Sequence, residues 1–131
     1  MSPIEHLSWP FFEPRHREFA VALDGWALRT VRDVHAHDID AQCRQLVKQL
    51  GEAGWLAHAV AGIDFGGAAE AIDTRMLCLA RETLARHNGL ADFAFAMQGL
   101  GSGAISRPAA PSRNSAGCRR WRAARPSAPL R

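Results

Sequence analysis

DTRMLCLARETLARHNG, residues 73–89, decides the fold. Asp73 is a residue type that caps helix N-termini, and Ile72 and Leu77 stand on either side of it at the spacing of a hydrophobic staple. Met76, Leu77, Leu79, Ala80 and Leu84 then recur at intervals of three and four, the period of one helical face. The run closes on His87-Asn88-Gly89, a basic last turn followed by residues that readily leave a helix. The stretch reads as a capped amphipathic helix.

The same pattern recurs upstream. Phe12, Phe19, Leu23 and Trp26 keep helical spacing, His16 and Thr30 fill it, and Pro14 suits a first turn, so residues 14–31 read as a helix. Residues 32–38 are a polar connector. Asp38 or Asp40 caps a second helix with the stripe Ile39, Cys43, Leu46, Leu50 and Ala53, and Gly54 supplies a left-handed stop. Trp55 and Leu56 then turn toward the core. Residues 57–71, with Phe65-Gly66-Gly67 at their centre, read as a long irregular loop.

Downstream, residues 90–98 read as a fourth helix that carries Phe93, Phe95 and Met97 and stops at Gly99. Its apolar residues lie on several faces, which places it centrally. No segment alternates with period two, so the fold class is all-α, a small bundle of about four helices.

The charge of the chain changes sign at Ser106. Residues 1–106 hold all 13 acids against 9 Lys and Arg, a net of −4, whereas residues 107–131 hold 7 Arg and no acid. The chain therefore divides into an N-terminal extension, residues 1–10, a helical domain, residues 11–106, and an Arg, Pro and Ala-rich tail, residues 107–131, expected to be disordered. A body of about 106 residues buries roughly 65% of its unfolded surface, enough for one core. The extension lacks the apolar run of a signal peptide, and no stretch is long enough to span a bilayer. Cys43, Cys78 and Cys118 share no metal-ligand spacing and are odd in number, which fits a reducing compartment. Lys48 is the only lysine among many Arg, Ala and Gly, the mark of GC-rich coding. A bacterial cytoplasm is the expected location.

The tail has two readings. Clustered Arg releases counterions from a polyanion, so the tail is an arm for nucleic acid. Alternatively it is out of register. If Arg113 to Arg119 are encoded CGC AAC AGC GCT GGC TGC CGC, the frame shifted back one base reads Gln-Gln-Arg-Trp-Leu-Pro. Pro111 to Arg113 can likewise become Thr-Glu-Pro, and Ser127 to Arg131 Val-Gly-Ala-Phe-Ala. That hidden frame resembles ordinary protein, and the printed one does not.

Candidate chemistry is sparse. His35 and His37, near Asp33 and Asp38, could clip a metal, but two ligands on a loop without a third make a poor site, and a solvated pair is the better reading. Cys43 and Cys78 fall on apolar stripes and read as core. Ser102 and Ser106 lie in or beside Gly99-Leu100-Gly101-Ser102-Gly103, which reads as a loop after a helix C-terminus, whereas phosphate loops precede an N-terminus. No Ser, His, Asp set or paired carboxylates stand out. No catalytic, cofactor-binding or metal-ligating residue is assigned.

The order of parts resembles the acyl-CoA dehydrogenase family. An amphipathic helix precedes Leu50-Gly51-Glu52-Ala53-Gly54-Trp55-Leu56, similar to the family's Leu-Gly-x-x-Gly helix end; Phe65-Gly66-Gly67 resembles its aromatic-Gly-Gly triplet. Leu79-Ala80-Arg81-Glu82-Thr83-Leu84-Ala85-Arg86 follows as the next helix. Residues 90–101 resemble the small-residue helix that approaches the acyl chain, and the hidden frame resembles the family's continuation. The resemblance covers about residues 11–106.

It implies α,β-dehydrogenation of an acyl-CoA, with a Glu removing the α-proton and hydride passing to FAD, in a homo-oligomer. Both the flavin site and that Glu belong to later domains, so this chain is expected to bind no FAD alone and to be inactive. Phe95, Met97, Gln98 and Leu100 then lie on or near one wall of the acyl pocket, or are simply core. The competing class is a small helical binding module whose tail contacts nucleic acid, a partner the resemblance disfavours. A domain built to pack on a missing neighbour should leave apolar surface bare, at Trp9, Phe11, Phe12 and the helix of residues 90–100. The fragment is expected to be marginally stable and prone to associate.

Overall fold

The computed structural model describes residues 5–32 and 38–106, with side chains through residue 103. His35, His37, Cys118 and the Arg-rich tail lie outside the described residues, as do the readings placed on them. Four α-helices, α1 (Pro14–Thr30), α2 (Ile39–Glu52), α3 (Thr74–His87) and α4 (Gly89–Ser106), account for most of what is described, with one short 3-10 turn before α1 (Glu5–Ser8) and two between α2 and α3 (Trp55–Ala59 and Ile63–Phe65). No strand occurs among the described residues, and the all-α reading holds.

Helices α2, α3 and α4 begin where a side chain satisfies open backbone donors of the first turn. Pro14 opens α1. Asp38, of the two candidates, caps α2 by accepting from the Asp40 N–H at 2.9 Å. Asp73 caps α3, its Oδ1 accepting from the N–H groups of Arg75 at 3.0 Å and Met76 at 3.4 Å. Asn88 ends α3 in extended rather than left-handed conformation, so Gly89 is not the stop but the first residue of α4. The Asn88 Oδ1 accepts from the N–H groups of Leu90 and Ala91, and its Nδ2 donates to the Val31 carbonyl. One amide side chain thus caps α4 and fastens it to the end of α1.

The core joins one face of every helix: Phe19, Leu23 and Ala27 from α1, Leu46 and Leu50 from α2, Leu79, Ala80 and Leu84 from α3, and Ala91, Ala94 and Phe95 from α4. Packing is closest between α1 and α3 and between α3 and α4, and α4 also meets α2 and the turn Trp55–Ala59. Cys78 departs from its reading: it is exposed on the outer side of α3, and Cys43 is half-buried.

Two further expectations are corrected. The segment of residues 57–71 is not irregular throughout. It holds the turns Trp55–Ala59 and Ile63–Phe65, and Ala61 and Ala69 form an isolated parallel bridge. Gly66 has a φ of 95°, and a Cβ on Gly67 would run into the Val60 carbonyl oxygen, so the Phe65-Gly66-Gly67 triplet needs both glycines where they stand.

The fourth helix does not stop at Gly99 but continues to Ser106, and residues 99–103 are helix rather than loop. Each interior glycine costs about 1 kcal/mol relative to alanine, and packing on the turn before it offsets this. The position of a Cβ on Gly99 lies 3.5 Å from the Ala59 Cβ. The buried Ser102 Oγ donates to the Ala59 carbonyl oxygen at 2.9 Å. Tertiary contact here overrides local propensity.

Among the described residues no helix is long and apolar enough to cross a membrane.

Candidate functional site

An apolar cleft of about 220 Å³ opens between α3 and α4. Ile72 and Leu77, the staple pair at the start of α3, line one side; Phe95, Ala96 and Leu100 line the other, and Ala59 and Gly99 close the end. The close approach of Gly99 to Ala59 sets that end wall, so the glycine that sequence reading took for a helix stop instead shapes the cleft.

Arg81 supplies the one charged side chain in the lining. Its Nε and NH2 donate to the two carboxylate oxygens of Asp92 at 2.9 and 3.0 Å, a fork-on-fork pair that also raises the Arg81 pKa. The charge is matched, so the cleft is neutral as well as apolar. It suits an alkyl or aryl group, and its lining among the described residues presents no nucleophile, base or metal ligand.

The four residues singled out from the sequence separate. Phe95 is fully buried and forms the inner wall, and Leu100, 69% exposed, stands at the mouth. Met97 and Gln98 do not line the cleft. Met97 belongs to another feature: with Phe93 and Leu100 it makes an outward stripe at positions i, i+4 and i+7, all three at least 46% exposed. Sequence reading missed Ala59, Arg81, Asp92 and Ala96, and although it noticed the Ile72–Leu77 staple it did not connect it with the cleft. Arg81 and Asp92 lie on different helices with no local pattern to join them.

A polar cluster occupies the same N-terminal end of α3, where Asp73 and Arg75 meet the start of α1. His16, the third residue of α1, is 0% exposed; its Nδ1 accepts from the Glu13 N–H at 3.0 Å, and its Nε2 lies 2.9 Å from Asp73 Oδ2. With Nδ1 used as acceptor, the ring proton sits on Nε2 and is donated to Asp73. Arg15 bridges Glu13 at 2.9 Å and Asp73 at 3.1 Å, and Arg75 pairs with Glu13 at 2.8 Å and donates to the Phe11 carbonyl.

Burial is the largest single influence on Asp73 and pushes its pKa up, but the hydrogen bonds from His16, Met76 and Arg75 together outweigh it, and the carboxyl stays below its ordinary value. The hydrogen bond from Arg75 chiefly holds Glu13 below its own. A second, smaller cleft of about 160 Å³ adjoins this cluster, lined by Arg15, Asp73, Met76 and His58 among others. Burial lowers the His58 pKa, and its ring lies 4.6 Å from that of Phe19, so it is neutral and part of the packing. No group of three metal-ligating side chains occurs among the described residues.

No family model matches the chain, and no curated protein matches it.

Proposed function

We propose that residues 11–106 are the N-terminal helical domain of an acyl-CoA dehydrogenase-type flavoprotein, supplying one apolar wall for an acyl chain while absent domains supply the redox chemistry. The observation that carries this reading is the bare stripe of α4. Phe93, Met97 and Leu100 lie in solvent on the helix whose sequence resembles the acyl-contacting helix of that family. Trp9 and Phe11 are likewise half or more exposed at the opposite end of the sequence. Surfaces of this kind suit a domain with a neighbour to cover them.

The cleft does not fit a flavin dinucleotide. Its volume falls below the roughly 300–1,000 Å³ usual for ligands of drug size, and its lone cation is neutralised by Asp92. On this reading FAD belongs to other parts of a full-length protein, and no chemical step is assigned to residues of this chain. The part left to Phe95, Ala96 and Leu100 is to exclude water from an alkyl group and give it a wall to lie against.

The test compares the 131-residue chain with the product of the same gene carrying one restored base after codon 106. The reading expects the restored protein to be yellow and to reduce a dye acceptor when given an acyl-CoA, and the present chain to do neither. A flavin-loaded, acyl-CoA-oxidising preparation of the 131-residue chain overturns it, and so does a restored protein without flavin. Salt-dependent DNA binding that disappears on removing residues 107–131 would favour a polyanion-binding arm instead.

A further inference from the structure

We infer that the outer face of α4 is the interface of a weak two-fold dimer, in which a second copy of this chain lays its own α4 antiparallel across the first. Residues 89, 93, 96, 97, 100 and 103 share that face at steps of three and four along Gly89–Ser106. They are Gly, Phe, Ala, Met, Leu and Gly, with no polar side chain among them. A helix that borders water normally turns polar residues outward, yet Phe93, Met97 and Leu100 stand 55%, 46% and 69% exposed. Asp92 is the one ionisable residue of α4, and Arg81 on α3 already engages both its carboxylate oxygens. A partner that covers this face therefore buries no unmatched charge.

The face is complementary to itself when turned end for end about an axis between Ala96 and Met97. Met97 then lies over the partner's Ala96, a large side chain on a small one, and Phe93 meets the partner's Leu100. Leu100 stands at the mouth of the apolar cleft, so the partner's Phe93 closes that mouth. At the two ends of the contact nothing lies within 4 Å of where a Cβ would stand on Gly89 or Gly103, which lets the helices approach closely. Parallel pairing lacks these fits: it sets Phe93, Met97 and Leu100 each against its own copy and points both helix dipoles the same way. It also brings together the two segments that follow Ser106, each with seven Arg and no acid, whereas antiparallel pairing sends them to opposite ends.

Size sets the strength. A large aromatic side chain buries about 150–250 Å² in full, so three large side chains at about half exposure or more supply roughly 300 Å² per copy. Interfaces below about 1,200 Å² in total are weak and transient, so this dimer forms reversibly and only at high protein concentration. The contact is isologous and therefore closed, because the two stripes cover each other and leave none for a third copy. The inference does not rest on the proposed function, which places an absent domain over the same stripe; a second copy meets the same need in the 131-residue chain.

Sedimentation equilibrium of the full chain from micromolar to millimolar concentration tests the dimer. A single monomer–dimer equilibrium is expected, and Met97→Glu, which sets two like charges beside the axis, is expected to weaken it at least about tenfold. Equal association in the variant and the native chain overturns the proposal, as does a native chain that stays monomeric throughout or assembles beyond the dimer. Crosslinking tests the register and does not depend on that variant folding. In chains whose Cys43, Cys78 and Cys118 are replaced by Ser, a mixture of Phe93→Cys and Leu100→Cys is expected to form the mixed disulfide faster than either forms its own. Position 93 is seven residues out of level with itself in the antiparallel pair, about 10 Å along the axis and beyond disulfide reach. Faster self-crosslinking at position 93 overturns the antiparallel arrangement. Neither readout involves flavin or acyl-CoA, so the dimer stands or falls apart from the proposed function.

Discussion

The first turns of α3 border two contrasting sites, a polar cluster shared with α1 and an apolar cleft shared with α4. On the side toward α1, Glu13, Arg15, Asp73 and Arg75 close a ring of ion pairs around a buried histidine, and each charge meets a partner inside the domain. On the side toward α4, Ile72, Leu77 and Arg81 join α4 in enclosing an apolar cleft, and α4 turns Phe93, Met97 and Leu100 to solvent. The charges of the polar cluster are paired among themselves, whereas the apolar side has surface to spare. A polar cluster can therefore be satisfied in its ion pairs beside apolar packing that is unfinished, because directional bonds saturate locally and the hydrophobic effect does not.

Substitutions at the two sites should differ accordingly. The largest effect is expected at the inner wall of the cleft, where Phe95→Ala removes a fully buried ring and should cost about 3–5 kcal/mol in urea unfolding. Asp73→Ala comes next. It deletes the cap of α3, worth about 1 kcal/mol, and orphans the buried His16 donor, about 1–3 kcal/mol more. A loss under 1 kcal/mol there would show that the ring of ion pairs is ornamental.

Acid provides a second probe of the polar cluster. Asp73 and Glu13 lie below their ordinary pKa values, so the folded chain binds fewer protons than the unfolded one over the range between. The stability they contribute is complete above the unfolded carboxyl values, about pH 4, and is lost as the pH falls through the lower folded values. In Asp73→Asn the urea midpoint should vary less between pH 5 and pH 3 than in the native chain. An unchanged slope would remove Asp73 from the account.

Smaller effects are expected on the open apolar side. Arg81→Ala breaks an ion pair whose arginine is half exposed and should cost no more than about 1 kcal/mol. Leu100→Ser, at 69% exposure, should leave stability within about 0.5 kcal/mol. Its effect should appear in sedimentation instead, as reduced association at high concentration. A native chain that remains monomeric at every concentration would show that the stripe needs no cover.

Much of the fold was legible because its determinants are local. Asp38 and Asp73 act as caps, Pro14 opens α1, and the stripe through Leu46, Leu50, Leu79 and Leu84 is buried. The end of α4 was misread because glycines at positions 99, 101 and 103 disfavour helix in isolation, and the Ala59 packing that outweighs them comes from another part of the chain. Cys78 misled for a different reason: it lies beside an apolar stripe but turns outward. Least legible was the polar cluster. His16 and Asp73 are 57 positions apart and Arg75 and Glu13 are 62 apart, so only the folded chain joins them. In the cleft, Phe95 and Leu100 were found because they stand on the helix that carried the resemblance, and Arg81 with Asp92 was not, since neither departs from an ordinary solvated face.

We propose that this helical domain comes from a longer flavoprotein whose continuation was lost at a change of reading frame. The most direct measurement is the nucleotide sequence downstream of codon 106, read in all three frames. Gln-Gln-Arg-Trp-Leu-Pro is expected in the frame shifted back one base, within an uninterrupted reading that continues past codon 131. Stop codons in that frame, or codons that give no such segment, would contradict it.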